Sequence, residues 1–236
     1  MNRKMGIALA AFAFAAAGAS TASAQTAYDG DVDQPGTMRG PVGAIELQLN
    51  TGYAQTFGPS LDVNLAPDRS ISGGGIGAGL GLAYRANPFF SFGLVGGYSQ
   101  VGGDEEASIR GANVGVDATI HTTPYSRLDP YISVGSGYKM AWSAATGRDD
   151  VMFHGFQVVR LNLGLDVRLN DSIALAPTVG GDLSTFMWRS EDGGDNEAIE
   201  NMRVNPSVFA GINGRFDLGG TRVREVPRAA IVTAKR

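Results

Sequence analysis

The sequence contains no cysteine. That excludes a disulfide, a thiolate metal site, a cysteine nucleophile and a lipid-modified N-terminal cysteine. Histidine is nearly absent as well, with only His121 and His154. They fall on different segments at opposite ends, so no His-paired metal site and no Ser-His base is apparent. Charged residues are sparse at 18% against 43% hydrophobic, a balance that favours a folded chain over a disordered one. Beyond the N-terminus there is no apolar run long enough to cross a bilayer as a helix, which takes about 20 residues. If this chain enters a membrane, it does so as strands.

What is abundant is glycine, 34 residues with no collagen period. With few long helical patterns, that points to a glycine-tolerant β architecture. The length suits one large domain. Asn2, Arg3 and Lys4 form a short basic region, residues 5–17 an apolar run, and residues 18–24 a small, polar stretch ending Ala22, Ser23, Ala24. This three-part pattern is that of a secretory signal, with cleavage expected after Ala24. Cleavage would leave 17 basic against 23 acidic residues, which argues against a nucleic-acid partner. Residues 25–42 read as a polar linker rich in Asp, Gly and Pro.

Eight segments of period-two alternation follow, at about 44–57, 75–85, 89–100, 109–122, 131–142, 152–169, 173–187 and 203–218. The fifth shows the pattern well. Ile132, Val134, Tyr138, Met140 and Trp142 share one face, and Ser133, Gly135, Gly137 and Lys139 share the other. Connections alternate too. Residues 86–88, 123–130 and 170–172 are turns, whereas 58–74, 102–108, 144–151 and 189–202 are polar and mostly acidic loops. An up-and-down barrel with both termini on one side gives this pattern.

The apolar face is expected to point outward, towards lipid. The segments exceed the usual soluble strand of about 5–6 residues. The opposite face carries Glu46, Arg85, Asp117, Lys139, Arg160, Asp166, Arg168, Asp182, Arg215 and Asp217, five acids and five bases. A small eight-stranded interior is filled by side chains, so this neutral set predicts a lumen plugged by mutual ion pairs. Apolar-face aromatics gather at segment ends. Tyr84, Phe90, Phe92 and Phe216 lie near the turns, and Tyr53, Phe57, Tyr98, Trp142 and Phe153 near the loops. Two girdles are expected where rings meet the two headgroup layers. The fold class is therefore all-β, an eight-stranded antiparallel up-and-down transmembrane barrel over 43–218, followed by a basic periplasmic tail, 219–236.

Other motifs dissolve in context. Residues 73–78 match a dinucleotide-binding glycine pattern, but the alternation runs on to Tyr84 and no helix follows. Asp29, Asp31 and Asp33 imitate a calcium loop, yet Gln34 stands where glycine is needed and Gly40 where the bidentate acid belongs. Loop acids Asp104, Glu105, Glu106, Asp192, Asp195 and Glu197 read as solvated, or as bridging divalent cations or other surface ligands. The tail bases Arg222, Arg224, Arg228, Lys235 and Arg236 read as disordered chain, or as contacts to an acidic wall or headgroup.

Eight alternating strands, LDPYISVGSGY opening the fifth, and the final VFAGINGRFDL with Phe216 together resemble the small outer-membrane β-barrel family that includes the OmpA transmembrane domain and the OmpX-type proteins. The resemblance implies insertion by the outer-membrane assembly machinery through the last strand. Here Phe216 is followed by a basic tail, and a globular peptidoglycan-binding domain of the OmpA type is not expected. The expected function is non-enzymatic, without cofactor, structural or surface-interacting. The competing readings are a small-solute channel, a lipid-modifying barrel enzyme and a soluble periplasmic carrier. For an enzyme, only His154 is placed near the outer leaflet and no serine partner is evident.

Overall fold

The computed structural model describes residues 38–57, 73–102, 107–145, 150–191, 194–200 and 202–225. The expected signal, most of the expected linker and the expected tail beyond 225 therefore lie outside the described residues. Its strands are β1 (Gly40–Val42), β2 (Ala44–Thr56), β3 (Gly73–Asn87), β4 (Phe90–Gly102), β5 (Ala107–His121), β6 (Leu128–Ala145), β7 (Val151–Arg168), β8 (Ile173–Glu191), β9 (Glu197–Ala198), β10 (Val204–Leu218) and β11 (Thr221–Val223). Strands β2 to β8 and β10 pair antiparallel in chain order. β10 pairs with both β8 and β2, which closes the ring. Closure gives each wall strand a partner on both sides, the requirement hydrocarbon imposes on a backbone.

The wall is turned inside out relative to a soluble protein. Ile76, Leu80, Leu94, Val116, Val134, Leu163, Val179 and Ile212 are all exposed on the outside. Glu46, Arg85, Asp166, Arg168 and Arg215 are buried on the inside. An apolar exterior over a charged interior places this wall in a lipid bilayer. No helix among the described residues is long and apolar enough to cross a membrane.

Side chains fix the turns. Asn170 Oδ1 accepts from the amides of Ser172 and Ile173, and Asn87 Oδ1 accepts from Phe89 N. In the 122–127 connection, Asp129 Oδ1 accepts from Thr123 N, and Thr123 Oγ1 donates to the Leu128 carbonyl.

Two short pieces extend the barrel at its turn end. β1 and β11 pair with each other, joining the end of the expected linker to the start of the expected tail. Gly220, with φ of 65°, makes the corner. A Cβ there would sit 2.5 Å from the Val42 carbonyl, so no other residue fits. Arg222 then ties this sheet to the barrel, donating to Asp171 O, Ser172 Oγ and Asp217 O. At the other end, β9 adds to β8, and Arg189 pairs with Glu197 at 2.9 Å.

Candidate functional site in the barrel lumen

At the turn end, register creates an electrostatic problem. Asp217 pairs directly with Glu46, and Asp129 directly with Asp166. Like charges opposite one another on one face repel. Two guanidiniums resolve it by crossing the lumen. Arg85 lies 3.0 Å from Glu46 and 3.9 Å from Asp129. Arg215 lies 3.3 Å from Glu46 and 2.6 Å from Asp166. His121 completes the circuit, with Nδ1 2.8 Å from Asp129 Oδ2 and Nε2 accepting from Arg215 at 3.0 Å. Tyr131 packs its ring 4.4 Å from the Arg215 guanidinium carbon. Gly164 leaves the space that this ring fills.

The paired side chains of this circuit are almost wholly buried, at 3% exposure or less. Arg168 joins it differently. It donates to the carbonyls of Pro124, Asp171 and Arg39, which fastens two turns and the incoming chain to the barrel base. Asp217 Oδ1 has no hydrogen-bond partner.

His121, Asp129 and Asp166 have the mutual spacing of a metal site. Arg215 already occupies the space before His121 and Asp166, and Arg85 stands beside Asp129. The donor set therefore faces guanidiniums, and the arrangement is an ion-paired plug.

Higher in the barrel the chemistry changes. Asp166 and Arg160 share β7 and stand about 20 Å apart along it. Here charges meet as two separate pairs, Arg160 with Asp117 at 2.5 Å and Lys139 with Asp182 at 2.9 Å. Gly135 lies between Asp117 and Arg160 in the sheet, and a Cβ there would run into the Asp117 carboxylate. Lys139 also donates to Ser207, and Ser184 to Asp182. Around these pairs lies a cavity of about 190 Å³.

Of the ten charged residues expected inside, Glu46, Arg85, Asp166, Arg168, Arg215 and Asp217 gather at the base. Asp117, Lys139, Arg160 and Asp182 form the upper pairs. Sequence reasoning missed Asp129 and His121 as members of the base cluster. Asp129 was hidden in an Asp-Pro turn signal, although its place opposite Asp166 on the inward face follows from alternation continued back to the strand start.

Among the girdle residues, Tyr84 and Phe92 are exposed and meet edge to face at 5.9 Å, with Phe90 beside Phe92 at 6.0 Å. Phe216 is half-buried at the same end. Tyr53, Phe57 and Tyr98 are exposed and Trp142 half-buried at the loop end.

Phe153 does not belong there, and the expectation is corrected. It is 1% exposed and packs inward against Phe186, with Ala141, Val151 and Ile199. The cause is a bulge in β7, where register slips between Gln157 and Val159 against β8 and across the same place against β6. Val158 and Val159 consequently both face outward. One extra residue exchanges the two faces above it. Phe156 and His154 take the outward positions instead. His154 stacks on Trp188 at 5.5 Å, bonds Tyr138 Oη through Nδ1 and faces Asn196 Oδ1 at 3.2 Å through Nε2. The hydroxyl at its Nδ1 is thus a phenol rather than a serine. Of the loop acids, Asp195 and Glu197 are exposed, and Glu197 is paired with Arg189. Asp104, Glu105, Glu106 and Asp192 lie outside the described residues.

No family model matches this sequence, and no curated protein does. Among solved structures, the barrel is similar to the Neisserial surface protein NspA, with a TM-score of 0.53 at 14% identity, over 74% of this chain and 97% of that one. It also aligns with the outer-membrane protein OprG of Pseudomonas aeruginosa (TM-score 0.46, 15% identity, 75% and 98% covered). A third match is the N-terminal barrel domain of OprF from the same organism (0.45, 12%, 75% and 99%). The likeness to the Neisserial protein is one of fold, and that fold is the small eight-stranded barrel of the bacterial outer membrane.

Proposed function

We propose that this chain is a non-enzymatic integral protein of the bacterial outer membrane, structural or surface-interacting, a small barrel of the OmpA and OmpX type with a sealed lumen. The observation that carries the reading is the buried circuit of Glu46, Arg85, Asp129, His121, Arg215 and Asp166 across the base. Each of its paired ions has a partner of opposite sign or a hydrogen-bonded imidazole. Opening it would strand charges at about 3–5 kcal/mol for each broken pair. Signal-directed export, insertion by the assembly machinery through β10, and acidic loops that face the exterior and attract divalent cations or surface ligands belong to the same reading.

The test is electrical. Mature protein reconstituted in planar bilayers is expected to give no steady single-channel current. A reproducible conductance that changes with Arg215 or Arg85 replacement would replace this reading with the small-solute channel. That second reading draws its support from the cavity above the plug.

A further inference from the structure

The cavity above the plug has a lining that selects for a class of solute. Six amide side chains face or border it, together with seryl and threonyl hydroxyls. Its charges are already matched, Arg160 with Asp117 and Lys139 with Asp182, while Arg215 is engaged below by Asp166. An ionic solute would shed its hydration there and find no free counter-charge.

Among the lining amides, Asn50 is exposed and Asn113 half-buried on the inward face, so both are open to a solute in the cavity. Gln157 and Asn213, at 2% and 5% exposure, lie behind them, out of reach of a solute. An amide offers a donor and an acceptor side by side, which matches an alcohol, itself both donor and acceptor. The lining also includes one half-buried aromatic ring, Phe209, seated over Gly180. The volume of about 190 Å³ holds about six waters at their liquid share of about 30 Å³ each. Covalently joined atoms pack more closely than separate waters, so a solute of monosaccharide size fits the same space.

From these features we infer that the upper lumen is a binding site for a neutral polyhydroxylated solute of monosaccharide size, either free or as the terminal unit of a longer saccharide. The inference rests on the sealed base proposed above, which makes the cavity a blind pocket and not a transit point. Asn50 holds hydroxyls from β2, Asn113 from β5, and Phe209 receives the apolar face of the ring.

The experiment uses mature protein in a zwitterionic detergent without a sugar headgroup, titrated by saturation-transfer NMR. The probes are methyl α-glucoside, myo-inositol and maltotriose, with glucose 6-phosphate as the charged comparison. Saturable binding of the neutral probes and weaker binding of the phosphate are expected. The double variant Asn50→Leu with Asn113→Leu is expected to weaken binding about tenfold, while the outward Gln100→Leu changes nothing. Maltotriose binding better than the monosaccharides assigns the pocket to a terminal unit, and the reverse order to a free sugar.

Absence of saturable binding by every neutral probe, equal binding of the phosphate, or insensitivity to the double variant overturns the inference. Heat-modifiable gel migration checks that each variant is folded. If the double variant fails that check, protection of a Ser99→Cys thiol by methyl α-glucoside against a water-soluble maleimide reads the same site. Lack of protection then overturns the inference. A bilayer current would instead overturn the sealed base, leaving the binding result intact and separately readable.

Discussion

The two halves of the lumen use the same residue types to opposite ends. At the base, acids face acids across the register, and Arg85 and Arg215 are shared among them, so the charges form one dry circuit. In the upper half, Asp117 and Asp182 each have their own cation, the pairs stay partly exposed, and polar atoms remain unmet around a cavity. Shared charges are hard to remove singly because each loss strands several partners. Private pairs with hydroxyl neighbours tolerate loss. The difference teaches that counting balanced charge does not distinguish a plug from a pocket. What distinguishes them is how many partners each charge serves.

Four substitutions, one of them a comparison on the outer wall, sharpen that contrast. Arg215→Leu has the largest expected effect. It removes the cation shared by Glu46 and Asp166 and exposes two acid–acid pairs to each other, at a cost of about 5 kcal/mol. The midpoint of urea unfolding in lipid vesicles measures it, and an unchanged midpoint would show that the circuit does not stabilise the base.

Phe153→Ala comes next, at about 3 kcal/mol, because it empties a buried cluster on the β6–β8 side of the loop end. Phe92→Ala, on the outer wall, serves as its comparison. Lipid chains replace the lost contacts there, so the same assay is expected to register a clearly smaller change. Equal effects would mean that Phe153 faces lipid after all.

Lys139→Met is expected to cost least, about 1 kcal/mol. Its side chain is 18% exposed, and Asp182 keeps its bond from Ser184. A loss matching that of Arg215→Leu would erase the distinction between the two halves.

The barrel was legible because period-two alternation directly encodes which face of a strand is inside. Orientation was legible for the same reason. What alternation does not encode is partnership. Arg215 is seen to be inward from Val208, Ile212 and Phe216 around it, but its reach to Asp166 depends on how β10, β2 and β8 register around a closed ring. Phe153 was misplaced because a fixed period cannot announce an inserted residue, and Val158 looks like any other strand valine. The β1–β11 sheet escaped notice because three residues on each side carry too short a pattern to separate from loop. His121 looked solitary in one dimension, and its place beside Asp129 and Arg215 comes from the turn and from ring closure.

The most direct test uses the absence of native cysteine, which makes single-thiol variants unambiguous. Ser91→Cys probes the base, Ser99→Cys the upper lumen and Val134→Cys the outer wall, in protein reconstituted in lipid vesicles. A sealed base beneath a hydrated upper lumen, within a wall turned towards lipid, predicts that a water-soluble maleimide labels only Ser99→Cys and a lipid-soluble one labels Val134→Cys. Rapid labelling of Ser91→Cys by the water-soluble reagent, or of Val134→Cys by it in preference to the lipid-soluble one, would contradict that arrangement.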